Sequence, residues 1–222
     1  MTCLQKAERM QKCTIVNSTI DELSKLYPDA HCTLEVKSPF ELLIATILSA
    51  QATDKKVNEI TPRLFSLYGT AELMAKADIK DIEEIIKPLG FYHTKAYNLI
   101  ECSKKLVGKE VPRTIEELVK LNGVGRKTAN LIVGEVYGEP AVVTDTHVIR
   151  ISTRLGLTEN KDPKKIEMDL KSIIEPKKQL MFCHLLVAFG RDICFARNPK
   201  CEVCPLTKYC NYIRENKGLA AP

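Results

Sequence analysis

Helical periodicity runs through most of this 222-residue chain and predicts an all-α protein. Apolar residues recur at the spacing of one helix face, and no segment alternates apolar and polar residues as a half-buried strand does. Helix-start signals precede several of the periodic segments. A chain of this length buries a substantial core and can form one large domain or two small ones.

The first two predicted helices differ in character. Residues 1–27 form an amphipathic pattern. Ser38, Pro39 and Glu41 then make a strong helix start: a capping residue, a proline at the first helical position and a glutamate three residues after the cap. The helix that follows, residues 40–50, is apolar almost all round, so we expect it at the centre of a domain.

The next part of the chain continues the helical pattern with two interruptions. We expect Asp54 to cap a helix that Pro62 kinks or divides. From residue 71 to 105 the pattern stays helical except at residues 87–93, where a glycine turn precedes aromatic residues. These aromatic residues, Phe91 and Tyr92, are either a hydrophobic staple into the core or a wedge that enters a base stack.

A helix, a glycine hairpin and a second helix occupy the middle of the chain. Thr114 and Glu117 have capping-box spacing before an apolar run that ends at Leu121. Residues 127–136 form the second helix. Gly123 and Gly125 flank a single apolar residue, which allows a tight turn and leaves free amides at the second helix's N-terminus. Such a nest of amides suits a phosphate group.

A lysine and an aspartate near this hairpin are the candidate catalytic residues. Lys127 falls in the first turn of the second helix beside Arg126, where the helix dipole and the neighbouring cation disfavour the ammonium form. A neutral lysine is a nucleophile. The alternative is that both cations simply contact phosphate. Asp145 follows an apolar run and opens another helix, for which a role as N-cap alone would be sufficient.

Four cysteines near the C-terminus predict a metal site. Cys194, Cys201, Cys204 and Cys210 have the spacing C-x6-C-x2-C-x5-C. Thiolates so close together repel one another and oxidise unless a metal holds them. A set of four thiolates suits zinc or an iron-sulfur cluster. The six-residue loop carries Arg197 and Lys200, which are either phosphate contacts or solvated surface cations; we designate the pair as the basic loop residues.

Composition restricts the classes of protein and partner. The chain has 33 Lys+Arg and 28 Asp+Glu, a net charge of +5, which is compatible with nucleic acid without requiring it. No apolar run approaches a membrane span, and the first twelve residues lack the apolar core of a secretory signal. Nine cysteines indicate a metal in a reducing compartment rather than disulfides. We expect a cytoplasmic, membrane-free protein, associated with the nucleoid if the source is prokaryotic.

The hairpin and its neighbours resemble the endonuclease III family of the helix-hairpin-helix DNA glycosylase superfamily. The similarity spans nearly the whole chain and rests on residues 38–44, 48–54, 90–92, 121–129 and 144–147, and on the four-cysteine spacing. It implies two helical domains: a central, barrel-like one at 32–139 with the hairpin near the domain cleft, and a discontinuous one, 1–31 with 140–222. It also implies that the cysteines hold a 4Fe-4S cluster.

The resemblance also implies an activity and residue roles. The chain would be a monomeric glycosylase and AP lyase that removes oxidised or ring-saturated pyrimidines from damaged double-stranded DNA. Lys127 would be the nucleophile and Asp145 its acidic partner. From the residues alone, Gln51 satisfies backbone groups at the end of the buried helix. The resemblance implies instead that Gln51 fills the gap left by a flipped nucleotide, with Phe91 as the wedge. His147 is either an ordinary first-turn residue or close to the DNA backbone.

Two departures from the family pattern bear on substrate choice and not on the chemistry. Asn122 stands where the family usually has proline, and Phe91 where it usually has leucine. Two other hypotheses fit much of the sequence. One is a non-catalytic, zinc-containing DNA-binding protein, which leaves the Lys127 and Asp145 pair unexplained. The other is a glycosylase for oxidised purines or mismatched bases.

Overall fold

Helices make up all of the regular structure in the described residues, 3–217 of a computed structural model. The expectation of an all-α fold is confirmed. The helices are α1 (Cys3–Leu26), α2 (Pro39–Leu48), α3 (Asp54–Tyr68), α4 (Ala71–Ala75), α5 (Ile79–Ile86), α6 (Tyr92–Leu106), α7 (Ile115–Leu118), α8 (Arg126–Tyr137), α9 (Thr146–Arg154), α10 (Pro163–Ile173), α11 (Gln179–Asp192) and α12 (Asn211–Lys217). Residues 1 and 2, at the start of the predicted first helix, lie outside the described residues, as do 218–222.

Contacts between Cα atoms divide the chain into two compact units. One unit is Cys32–Glu139 and contains α2 to α8. The other combines α1 with the described residues from Pro140 onward, which contain α9 to α12. None of the described helices is both long enough and apolar enough to cross a membrane.

Helix α2 lies in the core of the first unit, as its sequence predicts. The Ser38 hydroxyl accepts a hydrogen bond from the Glu41 N–H at 3.1 Å, and Pro39 is the first helical residue. Every residue from Leu42 to Leu48 is buried. The Glu41 carboxylate accepts from the Lys37 N–H at 2.7 Å, so it fixes the chain just before the helix. Helices α3, α6 and α8 pack against α2.

Helix α3 corrects two expectations. Its cap is Thr53, whose hydroxyl accepts from the Lys56 N–H at 3.2 Å. The prediction of Asp54 as the cap is therefore wrong; Asp54 is the first helical residue and accepts a 2.7 Å hydrogen bond from the Thr33 hydroxyl. Pro62 does not divide the helix, which continues to Tyr68. A proline removes one backbone hydrogen bond, and the packing of α3 on α2, α4 and α5 keeps the rest of the helix together.

The segment after α3 is helical with one more break than predicted. The break at residues 87–91 falls within the predicted interruption. A second one separates α4 from α5, because Asp78 caps α5 by accepting a hydrogen bond from the Lys80 N–H at 2.9 Å. Helix α6 packs mainly against α4 and α5. This arrangement fixes the start of α6, where Phe91 lies.

The second unit is organised by the packing of α9 against α11. Val148 and Ile151 of α9 and Phe182 and Phe189 of α11 are all buried. Gly190 allows close approach of the two helices, because a Cβ at that position would collide with the ring of His147. The first turn of α9 is thereby packed against α11, and Asp145 is the N-cap of α9.

Candidate active site and metal centre

The hairpin before α8 needs glycine at its first position and has open space at the second. Gly123 has φ +76°, and a Cβ there would lie 2.9 Å from Ile47 Cγ2 and 3.1 Å from Asn98 Cβ. A Cβ on Gly125 would have no heavy atom within 4 Å. Val124, between them, is 7% exposed and anchors the turn in the core. Gly123 is thus required by the fold, whereas Gly125 leaves room for another molecule.

The N-terminus of α8 presents backbone amides that make no hydrogen bond within the helix. Gly125 is the N-cap and supplies no side-chain hydrogen bond. The first intrahelical bond runs from the Ala129 N–H to the Gly125 carbonyl at 2.9 Å. The amides of residues 126–128 therefore have no intrahelical acceptor, and the positive end of the helix dipole faces the same way. This arrangement suits an anion such as a phosphate.

Lys127 is an exposed side chain in this first turn. Helix α8 begins at Arg126, one residue earlier than predicted, so Lys127 is its second residue and lies in the first turn as expected. A cation in the first turn of a helix is unfavourable for the helix. Its exposure means that the amine is accessible to a substrate.

Asp145 begins α9 and has a structural role there. Its Oδ1 accepts a 2.7 Å hydrogen bond from the Val148 N–H, which makes the carboxylate the N-cap of the helix. The cap engages one of the two carboxylate oxygens. Asp145 belongs to the second compact unit and Lys127 to the first. The sequence interpretation of Asp145 as a helix-opening residue is confirmed, and its catalytic role stays a prediction.

His147 is a half-buried side chain held by its own helix. Arg150 Nη2 lies 3.1 Å from His147 Nδ1, and the ring also hydrogen-bonds to the Gly190 backbone. Burial lowers the pKa of His147, and the charges of Arg150 and Arg191 lower it further. The Asp145 carboxylate and the hydrogen bond to Gly190 act in the opposite direction. The net lowering favours a neutral ring at pH 7. A neutral N–H donor is suited to a phosphate oxygen.

Gln51 and Phe91 share an uncommon backbone conformation. Both are left-handed, with φ 54° and 58°. For a residue with a Cβ this costs about 1 kcal/mol, so the surrounding structure must impose it. Phe91 is 65% exposed and does not pack into the core, so the staple interpretation is wrong for Phe91, whereas Tyr92 packs against the core. Gln51 is exposed as well and lies three residues after the end of α2.

The four C-terminal cysteines line one cavity. Cys194, Cys201, Cys204 and Cys210 all contribute to its wall. Burial and the charges of the other three thiols raise the pKa of Cys204 to about 11. Four ionised thiols in one cavity therefore require a cationic group to bind them.

The four sulfurs are placed to share one bound group. A zinc ion holds each of its ligand sulfurs at about 2.3 Å. An iron-sulfur core takes the same set of four thiolates. The four cysteines surround one cavity, so this donor set suits either group.

The basic loop residues differ in their surroundings. Lys200 lies 3.5 Å from the Asp192 carboxylate and 5.4 Å from the centre of the Phe195 ring. Arg197 is exposed, and the next residue, Asn198, is left-handed with φ 50°. Lys200 is thus partly neutralised by its partner, and Arg197 is the more available cation.

Two arginines of α9 escaped the sequence analysis. Arg150 donates to the Cys194 carbonyl from Nε at 3.1 Å and from Nη2 at 2.8 Å, and Arg154 also contacts the cysteine loop. Each contact joins residues about 40 positions apart. No local pattern signals such a contact, because arginine on a helix is ordinarily a surface residue.

Comparison with known protein families gives two matches. Residues 44–176 match the HhH-GPD superfamily base excision DNA repair protein family. Residues 194–210 match the iron-sulfur binding domain of endonuclease III. The first match contains the hairpin, Lys127 and Asp145, and the second begins and ends at the outer two of the four cysteines.

Individual proteins give the same result over most of the chain. An endonuclease III of Synechocystis sp. is 46% identical over 192 residues, which is 85% of this chain and 88% of that protein. A solved non-covalent endonuclease III–DNA complex is 40% identical, covers 93% of this chain and 99% of its own, and superposes with a TM-score of 0.87. A trapped endonuclease III–DNA covalent intermediate, also 40% identical, covers 92% and 98% with a TM-score of 0.87.

Proposed function

The chain belongs to the endonuclease III family, and we propose from that premise how its residues act on damaged DNA. It is a DNA glycosylase and AP lyase of base excision repair, and it carries a 4Fe-4S cluster. Its partner is damaged double-stranded DNA. The proposal concerns the lesion, which we take to be an oxidised or ring-saturated pyrimidine, and the residue that does each step.

We propose that the protein binds DNA through contacts to the DNA phosphate backbone. The first-turn amides of α8 at residues 127 and 128, the Arg126 side chain and the basic loop residues are all suited to phosphate oxygens. His147 would donate a ring N–H to a phosphate oxygen. Such contacts carry no base information, so the enzyme can inspect any sequence. The bound cluster fixes the cysteine loop and takes no part in base removal.

Gln51 and Phe91 are proposed to fill the space of an extruded nucleotide. Both are exposed, and both are left-handed, so the fold holds them away from the core at some cost. A damaged base that stacks poorly is the least costly to extrude. Phe91 would enter the base stack, and Gln51 would hydrogen-bond to the base left unpaired.

The chemistry is proposed to begin with the amine of Lys127. Its lone pair forms a bond to the sugar C1′ as the bond from C1′ to the base breaks, and the base leaves with a proton from the attacking nitrogen. The C1′–O4′ bond then breaks, the remaining proton on nitrogen passes to O4′, and an imine forms. The imine acidifies the C2′ proton; its removal breaks the C3′–O3′ bond, expels the 3′ phosphate and cuts the strand. Asp145 would stabilise positive charge on the sugar or take the amine's proton.

One observation carries the assignment of the nucleophile. Lys127 is exposed in the first turn of α8, where a positive charge does not stabilise the fold. A cation in the first turn is unfavourable for the helix. A residue that costs stability and reaches solvent beside an anion site is best explained by chemistry.

Borohydride trapping tests this function. The protein is incubated with a duplex that contains thymine glycol, the imine is reduced, and a covalent adduct is expected on a denaturing gel. Lys127→Gln should abolish the adduct, whereas Lys120→Gln, at an exposed lysine seven residues earlier, should retain it. An adduct that survives Lys127→Gln would exclude the assigned nucleophile.

A lesion panel decides the substrate class. Release of thymine glycol should be at least about tenfold faster than release of an oxidised purine or of a mismatched normal base. A preference for either of the latter would contradict the proposed pyrimidine class and leave the lyase chemistry intact.

Three features of the whole molecule are also proposed. The compact units, Cys32–Glu139 and the remainder, correspond to the two domains expected from the sequence. The active form is a monomer. The location is cytoplasmic, because the cysteine set requires a reducing compartment to stay competent for cluster binding. Sedimentation of the purified protein at micromolar concentration tests the monomer.

A further inference from the structure

Arg154 is the last residue of α9 and points its guanidinium at the cysteine loop. Nη1 lies 3.1 Å from the Sγ of Cys194 and donates to the Phe195 carbonyl at 2.8 Å. Nη2 donates to the Ala196 carbonyl at 3.1 Å. One side chain therefore contacts a cluster-ligand sulfur and two successive carbonyls of the loop that follows it.

The same guanidinium also contacts the other end of the cysteine set. Its Cζ lies 4.3 Å from the centre of the Tyr212 ring, which is cation–π distance. Tyr212 comes two residues after Cys210, and both Arg154 and Tyr212 line the cysteine cavity. Arg154 thus ties the segment of the first cysteine ligand to the segment of the last.

A charged hydrogen bond to a ligand sulfur affects both oxidation state and retention of the bound group. The donor withdraws charge from the thiolate, which favours the more reduced state and raises the reduction potential. A guanidinium that also fixes the loop carbonyls orients the ligand before the cluster binds. Lysine has one nitrogen and cannot serve three acceptors with the same geometry.

We propose that Arg154 is a positioning residue for the cluster, which raises its reduction potential and slows its loss through the hydrogen bond to Cys194 Sγ and the two carbonyl bonds. The inference rests on the cluster and not on the identity of the nucleophile. It extends the proposed function, because it assigns a role to a residue outside the DNA-binding and catalytic set.

Three variants of the cluster-loaded protein test the proposal. Arg154→Gln removes both the positive charge and the branched set of guanidinium donors. Arg154→Lys keeps the positive charge but removes the branched set of donors. Arg214→Gln is the matched control, because Arg214 carries the same charge on α12 and donates to the Lys208 carbonyl at 2.8 Å. Voltammetry gives the midpoint potential, and the decay of visible absorbance under a chelator gives the rate of cluster loss.

The expected result is a negative shift of the potential in Arg154→Gln and a smaller one in Arg154→Lys. Both should lose the cluster about tenfold faster or more, the usual effect of removing a residue that supports a metal ligand. Arg214→Gln should match the unsubstituted protein. An unchanged potential in both Arg154 variants, or an equal shift in Arg214→Gln, overturns the proposal.

Borohydride trapping on the same preparations separates this proposal from the proposed function. Loss of trapping in the unsubstituted protein would contradict the lyase and leave the potential measurement valid. If Arg154→Gln yields no folded protein, the potential of Arg154→Lys decides alone. A value equal to that of the unsubstituted protein then refutes the role of the hydrogen bond to sulfur.

Discussion

Helices α8 and α9 start in opposite ways, although each start carries one of the proposed catalytic residues. Helix α8 begins at a glycine with no side-chain cap, and Lys127 is exposed in its first turn. Helix α9 begins at Asp145, whose carboxylate bonds to the Val148 N–H at 2.7 Å. The first turn of α8 leaves amides available to an external anion. In α9, the carboxylate of the proposed catalytic residue Asp145 itself accepts a hydrogen bond from an amide of the first turn.

Substitution of Lys127 should therefore affect catalysis alone, whereas substitution of Asp145 can affect both stability and catalysis. The fold does not use Lys127, so its substitution reports on chemistry alone. Asp145 caps a helix that supports the cysteine loop through Arg150 and Arg154. Its substitution reports on stability and chemistry together unless the new residue can cap as well.

Two substitutions at Asp145 separate the cap from the charge. Asparagine caps helices as well as aspartate does, so Asp145→Asn should leave the free energy of unfolding within about 0.5 kcal/mol. It should slow base release about 100-fold, or roughly 2.7 kcal/mol of barrier, because the carboxylate charge is lost. Asp145→Ala should lose about 1 kcal/mol of stability in addition. Denaturant unfolding and single-turnover base release measure the two effects. Equal rates for Asp145→Asn and the unsubstituted protein would make the carboxylate purely structural.

The two hairpin glycines should respond differently to alanine. Gly123→Ala forces a Cβ to within 2.9 Å of Ile47 Cγ2 at φ +76°, so it should lower the free energy of unfolding by about 2 kcal/mol. Gly125→Ala meets no atom within 4 Å and should fold normally. Its Cβ should weaken DNA binding roughly tenfold, or about 1.4 kcal/mol, because it occupies the space left for a phosphate. Thermal unfolding and DNA titration test the pair. An unchanged DNA affinity in Gly125→Ala would show that no phosphate binds beside Gly125.

Phe91 begins a third helix, α6, with a left-handed residue and no cap. Phe91→Gly should raise the free energy of unfolding by about 0.5–1 kcal/mol, because glycine adopts this conformation without strain. Base release from duplex should fall about tenfold, whereas release from a flexible single strand should change less. A drop in stability would show that the ring, although 65% exposed, contributes to the fold.

The smallest effect is expected at the basic loop. Arg197→Gln should reduce the slope of log affinity against log salt by about 1, the amount for one lost phosphate contact. Lys200→Gln should reduce it less, because Lys200 already lies 3.5 Å from Asp192. Lys208→Gln, at an exposed lysine between the last two cysteines, is the control and should leave the slope unchanged. Identical slopes in all three would show that the loop is ordinary solvated surface.

The sequence predicts those features that depend on neighbours in the chain. Ser38, Pro39 and Glu41 fix the start of α2 locally, and the run from Leu42 to Leu48 is buried because it has no polar face. At α3 two adjacent residues, Thr53 and Asp54, are both good caps, so the sequence is ambiguous and the aspartate was the wrong choice. The resemblance of the motifs predicts the family and the iron-sulfur cluster, and both are confirmed. Hydrophobic periodicity alone predicts only the helices.

The features that escaped prediction depend on distant parts of the chain. Arg154 reaches Cys194 and the carbonyls after it across about 40 residues, and its sequence neighbourhood is that of a surface helix. The left-handed conformation of Phe91 is imposed on a residue that rarely adopts it. Both are consequences of packing, which a local pattern does not report.

Mapping the trapped adduct tests the central claim most directly. The borohydride-reduced complex with thymine glycol DNA would be digested, and the peptide that carries the sugar remnant would be sequenced by mass spectrometry. We predict a single modified peptide with the remnant on Lys127. A remnant on another residue, such as the buried Lys95 or the N-terminal amine, would contradict the assignment of the α8 start as the site of attack.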